Sequence, residues 1–288
     1  MPRVWFITGC SSGFGREIAI AAAKNNDTVV ATSRDASKLA DLLPLGITPK
    51  ALDITGGDAE IKAIVDDVES TVGPIDVLVN NAGYILEGAV EECSDEEILT
   101  HFDVNVFSQI RLLRAILPSM RARKSGVIAN IGSIAGWSGH PAAGFYCASK
   151  AAVAMYTEAL RAELAPLNID VTCIEPGYFR TNFLSMSGGH KVTASNRIPD
   201  LHAGTQANRD ALVAYSGYQP GDPAKGARVI VEALTKSGRC EGRTVPARLA
   251  LGRDAVEFIG ACLEREREML DSWKEIIAST DCDDVLNT

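Results

Sequence analysis

Tyr146 and Lys150 are the two residues of this chain whose types and spacing point most directly to chemistry. They lie four positions apart in the stretch GFYCASKAAV, residues 144–153. Residues i and i+4 share a face of a helix, so the lysine ammonium would lie beside the phenol ring. A nearby cation favours the phenolate and lowers a phenol pKa that starts near about 10. We therefore expect Tyr146 to exchange protons near neutral pH. The alternative is an exposed pair on an ordinary helix.

A glycine-rich stretch near the start of the chain could bind a phosphate group. TGCSSGFG, residues 8–15, follows an apolar run and precedes a helical pattern. In that context Gly9, Gly13 and Gly15 permit a tight turn and a close approach of backbone to a pyrophosphate, and the helix start supplies free N–H groups. The alternative is a turn without a ligand. The spacing G-x-x-x-G-x-G differs from the commoner dinucleotide pattern G-x-G-x-x-G.

The elements that must position these residues alternate along the first half of the chain. Short apolar runs rich in β-branched residues predict five strands, at 3–8, 27–33, 75–80, 126–132 and 169–176. Helical patterns lie between them, at 14–25, 58–72, 95–123 and 146–165. This alternation is typical of βα units that build a parallel sheet. Ser94 and Glu97 have the spacing of a capping box at the start of the third helix.

The chain changes character after Pro176. Residues 178–222 contain several glycines and prolines and little periodicity, so we expect a functional loop or lid. A helix is predicted at 223–234. Apolar residues at three- and four-residue steps predict an amphipathic helix over 254–279, whose apolar face must pack on something. We interpret residues 1–288 as one domain, with a core at 3–177, the lid and the C-terminal helix.

The composition excludes several classes of function. The 288 residues carry a formal charge of −9 and no dense basic cluster, which argues against nucleic acid as a partner. Seven scattered cysteines without a C-x-x-C pair argue against a disulfide framework or a zinc site, and the four histidines lack ligand-like spacing, so no metal is predicted. No apolar run approaches the roughly 20 residues of a membrane span, so a cytoplasmic protein is expected.

Further motifs, in order, resemble the classical short-chain dehydrogenases/reductases. NNAG (80–83) follows a strand, Ser133 precedes Tyr146 by thirteen residues, Asn105 lies in FDVNVFS, and PGYFRT spans 176–181. The resemblance covers roughly residues 3–235 and is greatest to the branch of hydroxysteroid and retinol dehydrogenases. It implies an α/β fold of the Rossmann type, a doubly wound parallel sheet in a single domain, here with a C-terminal helical extension.

The resemblance also implies which residues contact a nicotinamide dinucleotide. These are Gly9, Ser11, Ser12, Gly13, Phe14, Gly15, Arg34, Asp53, Asn81, Ala82, Gly83, Tyr146, Lys150, Pro176, Gly177, Phe179 and Thr181. Asp53 would bind the adenine amino group, although capping of a turn would also explain it. Arg34 ends the second strand where NAD-binding proteins place a carboxylate, so NADP(H) is favoured over NAD(H). Asp35 follows directly, and either faces solvent or complicates that preference.

Four residues match the family's catalytic set: Asn105, Ser133, Tyr146 and Lys150. The resemblance implies that Tyr146 is the general acid/base and that Ser133 stabilises charge on the substrate oxygen. Lys150 would bind the ribose hydroxyls of the cofactor, and Asn105 would hold a water in a proton relay. Each also has a structural alternative, as a turn residue, a satisfied helix residue or an exposed pair.

The substrate is expected to be lipophilic. Doubly wound folds bind ligands beyond the carboxyl ends of their strands, where apolar side chains form the expected walls: Tyr84, Leu86, Trp137, Phe179, Phe183, Leu184 and Met186. A ketone, an aldehyde or an alcohol would fit, and core packing is the alternative for this apolar set. His140 is expected at the pocket rim, and Cys147 is expected to face elsewhere as a packing residue.

The leading hypothesis is an NADP(H)-dependent oxidoreductase that works as a carbonyl reductase. An epimerase or dehydratase on the same fold, and a regulatory module that senses NADP(H) without catalysis, are the alternatives. Family analogy implies a homodimer or homotetramer formed through the helices at about 105–123 and 146–165.

Overall fold

Seven parallel strands form the central sheet of this computed structural model, which describes residues 2–185 and 190–282. In chain order they are β1 (Val4–Ile7), β2 (Thr28–Ser33), β3 (Thr48–Ala51), β4 (Val77–Asn80), β6 (Gly126–Ile131), β7 (Ile169–Pro176) and β9 (Arg248–Leu251). Two further strands, β5 (Ile85–Glu87) and β8 (Lys191–Thr193), pair with each other outside it. The spatial order β3-β2-β1-β4-β6-β7-β9 reverses direction between β1 and β4. This is the predicted doubly wound arrangement, and its crevice lies at that reversal.

Helices cover both faces of the sheet. They are α1 (Gly13–Lys24), α2 (Asp58–Thr71), α3 (Asp95–Phe102), α4 (Ser108–Arg123), α5 (Gly144–Leu164), α6 (His202–Tyr215), α7 (Pro223–Thr235) and α8 (Arg253–Ala278). Successive strand residues point to opposite faces, so β1 serves two cores. Trp5 and Ile7 pack with α1 and α7, whereas Val4 and Phe6 pack with α2 and α4.

The five predicted strands are confirmed, with ends that move by at most two residues. The predicted helix over 95–123 is instead α3 and α4, separated by a π-helical turn at Asp103–Phe107. Single π-helical turns inside helices are often found at functional sites. Here the turn carries Asn105.

Residues 178–222 contain more regular structure than predicted. β8 adds to β5, and α6 follows it. Strands β3 and β9 were also missed. Their sequences, TPKA and RLAL, are short and carry Pro49, Lys50 or Arg248 in place of a continuous apolar run.

The C-terminal helix is confirmed, and the part of the chain that the structure describes leaves most of its apolar face uncovered. Of its residues only Ala255 and Cys262 are buried. Leu263, Leu270 and Trp273 are each more than half exposed. Nothing within residues 2–185 and 190–282 covers this second half of α8. None of the helices described is both long and apolar enough to cross a membrane.

Candidate active site

A cavity of about 740 Å³ lies at the carboxyl ends of the strands and continues under residues 176–184 and 190–192. It joins the glycine-rich loop, the end of β2 and the Tyr146 region in one continuous space. Nearly all predicted site residues line it. The two exceptions are Gly15 and Asn105.

The glycine-rich loop is shaped as a cradle. Gly9 and Gly13 have φ of +70° and +59°, a conformation that favours glycine. A Cβ on Gly9 would lie 3.0 Å from the Cα of Ala82, and one on Gly15 would lie 2.5 Å from the carbonyl oxygen of Gly9. Gly15 therefore acts by close packing behind the loop. The space left in front, with the N–H groups that begin α1, fits a pyrophosphate.

The end of β2 presents a cation without a fixed partner. Arg34 is exposed and makes no hydrogen bond or salt bridge in the part of the chain that the structure describes. Asp35 turns away from it, because its carboxylate accepts hydrogen bonds from the N–H and hydroxyl of Ser37, at 3.0 and 2.7 Å. The Asp35 carboxylate thus stabilises the local turn and does not pair with the Arg34 guanidinium.

Asp53 lines the cavity, yet its carboxylate is engaged locally. It accepts hydrogen bonds from the hydroxyl and the N–H of Thr55, at 2.7 and 2.9 Å. These bonds hold the pKa of Asp53 below its usual value. The turn-capping role is therefore present in the structure, and the adenine contact stays a prediction.

Tyr146 and Lys150 lie on the buried face of α5 and not on an exposed surface. Their exposed fractions are 9% and 3%. Lys150 donates a hydrogen bond to the carbonyl oxygen of Ile131 at 2.8 Å, and its Nζ is 5.9 Å from the centre of the Tyr146 ring. Ser133 begins a 3₁₀ turn after β6 and hydrogen-bonds with Tyr146. Three of the four predicted catalytic residues thus meet in the cavity.

The electrostatics of Tyr146 differ from the expectation. Burial raises the pKa of its phenol, and the hydrogen bond with Ser133 acts in the opposite direction. Lys150, 5.9 Å from the ring centre, does not reverse this shift, and burial also lowers the pKa of its own ammonium to about 8. A lysine nearby was visible in the sequence, whereas the desolvation of both groups was not.

Asn105 lies behind the cavity. Its side-chain amide pairs with the backbone of Tyr84: Oδ1 accepts from the N–H at 3.0 Å, and Nδ2 donates to the carbonyl oxygen at 2.9 Å. Asn105 therefore fixes the loop after β4. Its predicted role in a proton relay stays a prediction.

His101 is a buried residue of this region that sequence reasoning missed. Its Nε2 lies 3.2 Å from the Ser149 hydroxyl and 3.2 Å from Nδ2 of Asn105. Burial first, and the Lys150 charge second, lower its pKa to about 4. A neutral imidazole thus supports the helices that carry Asn105 and Tyr146. Its four-residue spacing from Asn105 was the available signal.

Three predictions about the walls need correction or completion. Cys147 lines the cavity and does not face elsewhere, although burial raises its thiol pKa and disfavours the thiolate. Trp137 does not line it, because its indole N–H donates to Glu175 and its ring stacks on Arg248. Met186 lies outside the described residues. His140 lines the cavity as expected.

Comparison with known proteins identifies relatives along most of the chain. The model of the family described as short chain dehydrogenase matches residues 3–190. A protein named oxidoreductase BOA17, from Botryotinia fuckeliana, is 32% identical over 280 residues, which cover 96% of this chain and 98% of that protein.

Solved structures share the fold. A short-chain dehydrogenase from Streptomyces avermitilis is 39% identical, with a TM-score of 0.87 over 97% of this chain and 98% of that one. L-sorbose reductase from Gluconobacter frateurii, solved with NADPH and L-sorbose, is 26% identical, with a TM-score of 0.69 over 86% and 94%. A Burkholderia phymatum protein solved with NAD shares the fold at 22% identity, with a TM-score of 0.79 over 93% and 94%.

Proposed function

This chain belongs to the short-chain dehydrogenase family, and from that premise we propose that it is an NADP(H)-dependent reductase of lipophilic ketones or aldehydes. The observation that carries the proposal is the shared cavity. Tyr146, Ser133 and Lys150 face the same space as the glycine-rich loop and Arg34. A proton donor thus lies where a dinucleotide held by that loop and a carbonyl substrate would meet.

The bound nicotinamide would supply hydride to the carbonyl carbon. Tyr146 donates its phenolic proton to the oxygen on which charge develops, and Ser133 donates a hydrogen bond to that oxygen. The raised phenol pKa keeps Tyr146 protonated, as a proton donor in reduction must be. Lys150 would hold the ribose hydroxyls of the nicotinamide half. In the oxidative direction Tyr146 accepts the proton.

The cofactor preference rests on Arg34. A guanidinium forms forked hydrogen bonds with a phosphate group. Since Arg34 is exposed, lines the cavity and has no carboxylate partner in the part of the chain that the structure describes, it is free to bind the 2′-phosphate of NADP(H). Asp35 does not pair with Arg34, because Ser37 engages its carboxylate.

The substrate class follows from the walls beyond Tyr146. Ile85, Tyr178, Phe183, Leu184 and Leu212 line that part of the cavity. Several of them also pack against Tyr146 in one apolar cluster. An apolar substrate would gain about 25 cal/mol for each Å² of surface removed from water there.

Assembly is proposed as a homodimer or homotetramer through the faces of α4 and α5. Phe107 and Met155 project from this part of the molecule and are 45% and 54% exposed. Light scattering of the purified chain measures its molar mass and so tests the oligomeric state. We also place the protein in the cytoplasm, where free thiols are stable, and all seven cysteines are free.

The test is oxidation of NADPH by the purified protein over a panel of lipophilic ketones, quinones and aldehydes, with NADH in parallel. Tyr146→Phe removes the proton donor and should lower turnover by about 10²- to 10⁴-fold while NADPH still binds. Tyr218→Phe is the matched control, because Tyr218 is 81% exposed. Equal turnover by the Tyr146→Phe variant would contradict the mechanism. Binding of NADPH without turnover on any substrate would favour a regulatory role.

A further inference from the structure

The chain between β7 and α7, at residues 178–185 and 190–222, is called the substrate segment here, and His190 reaches from it to the glycine-rich loop. Its Nε2 lies 2.8 Å from the hydroxyl of Ser12. Both residues line the same cavity. The contact joins a residue next to β8 to the start of α1, 178 positions away, and therefore spans the crevice in which a dinucleotide would lie.

Ser12 is the N-cap residue of α1, yet its side chain forms no capping hydrogen bond. The first turn of α1 also contains no acidic residue. The first N–H groups of the helix therefore remain available to an anion at this end. The Ser12 hydroxyl and the His190 ring, which contact each other, lie beside them as polar groups from the two sides of the crevice.

Because the pyrophosphate of a dinucleotide binds at this helix start, we propose that His190 is a cofactor-binding residue that donates a hydrogen bond to the cofactor pyrophosphate. The proposal rests on the proposed function, which supplies the dinucleotide. It extends the cofactor site beyond the residues implied by the sequence motifs. It also links cofactor binding to the segment that covers the substrate.

His190 is held in place on both sides. Its carbonyl oxygen accepts a hydrogen bond from the N–H of Ile85 at 2.9 Å, and its ring stacks on Phe183 with centroids 6.1 Å apart. The next residue, Lys191, forms a buried salt bridge with Glu87 at 2.6 Å. A side chain placed in this way loses little freedom when a ligand binds.

The contact predicts a pH dependence of cofactor affinity. In the free protein burial lowers the pKa of His190, and the Arg34 charge lowers it further. Its other described contacts, Ser12 and Phe183, carry no charge. A bound pyrophosphate favours the imidazolium and raises this pKa, so binding takes up a proton. Affinity should rise as the pH falls through the pKa of the complex toward the lower pKa of the free protein.

The experiment measures dissociation constants for NADPH between pH 5.5 and 8.5 by cofactor fluorescence. His190→Ala should weaken binding about tenfold near pH 6, since a hydrogen bond to a charged group is lost. His190→Gln keeps a neutral donor and should retain part of the affinity while its pH dependence flattens. His202→Gln is the control, because His202 is exposed at the start of α6.

Two fragments of NADPH test whether His190 contacts the pyrophosphate or another part of the cofactor. 2′-Phospho-ADP-ribose contains the pyrophosphate and should lose affinity in His190→Ala as NADPH does. Adenosine 2′-monophosphate lacks it and should bind wild type and variant equally. An equal loss for both fragments, or no loss for either, overturns the assignment. If wild type itself fails to bind NADPH, the proposed function fails first, which is a separate result.

Discussion

Two buried lysines of this molecule have opposite surroundings. Lys150 and Lys191 are 3% and 5% exposed. Lys191 lies in a cluster of buried charges, with Glu87, Glu92 and Arg209, and forms its salt bridge with Glu87 at 2.6 Å. Lys150 has a single carbonyl oxygen as hydrogen-bond acceptor and no carboxylate partner in the part of the chain that the structure describes.

The difference separates a structural charge from a functional one. The buried charge cluster connects β5, the turn after it, β8 and α6, so its charges hold the substrate segment to the core. Lys150 is desolvated without compensation, which lowers its pKa to about 8. A charge that lacks its partner inside the protein is available to a ligand, and such groups are typical of active sites.

The largest expected effect is the loss of catalysis in Lys150→Met. This change removes the cation beside Tyr146 and the donor to the cofactor ribose, so kcat/KM should fall by about 10²- to 10⁴-fold. Steady-state kinetics with NADPH measures it. Lys225→Met is the control, since Lys225 is 74% exposed in a surface ion pair. Similar losses in both variants would contradict a specific role for Lys150.

Lys191→Met should act on stability. It leaves Glu87 with less compensation in a buried site, which should lower the free energy of unfolding by about 3 kcal/mol. Urea denaturation of the variant, again beside Lys225→Met, measures the change. A stable variant with wild-type unfolding would show that Arg209 alone satisfies Glu87, and would remove the contrast between the two lysines.

Lys150→Met should make the protein more stable although it lowers catalytic efficiency. In the folded protein the Lys150 pKa is lowered from 10.5 to about 8, so below pH 8 folding must bury a charge. The unfolded chain binds more protons between these two values, and wild-type stability therefore rises with pH across that range. The variant should be about 1–2 kcal/mol more stable at pH 7, with a gap that closes toward pH 10. Denaturation at both pH values tests this, and a gap independent of pH would contradict it.

Arg34→Ala tests, at an exposed position and with a smaller expected effect, whether a charge without a partner inside the protein binds a ligand. Arg34, like Lys150, has no carboxylate partner in the described chain. Loss of its guanidinium should weaken NADPH binding about tenfold and leave NADH binding nearly unchanged. The ratio of the two dissociation constants is the measurement. An unchanged ratio would assign the 2′-phosphate to another residue.

The sequence was sufficient for the parts of the fold that rest on local pattern. Buried parallel strands are continuous apolar runs, and the glycine-rich loop and the Tyr146–Lys150 pair are short motifs, so all were visible. β3 and β9 lack such runs, and α6 begins with HAGTQANRD, which has little apolar periodicity.

The rest of the site depends on burial and on long-range pairing. Glu87 and Lys191 are 104 positions apart, and no local pattern connects them. Likewise the sequence placed a lysine near Tyr146, but the sign of the phenol pKa shift depends on how much water the fold excludes. No sequence motif marks His190. Its contact with Ser12 becomes visible only when the structure places β8 beside β5.

The π-helical turn at Asp103–Phe107 makes the length of the chain critical at this point. Each residue of an α-helix advances the rotation by about 100°. Deleting one residue from the turn would make α3 and α4 a continuous α-helix, and with α4 held by its buried residues, α3 would rotate by that angle. His101 would then leave the side of Ser149. The exposed positions of this turn should therefore accept changes of residue type more readily than a change in the number of its residues.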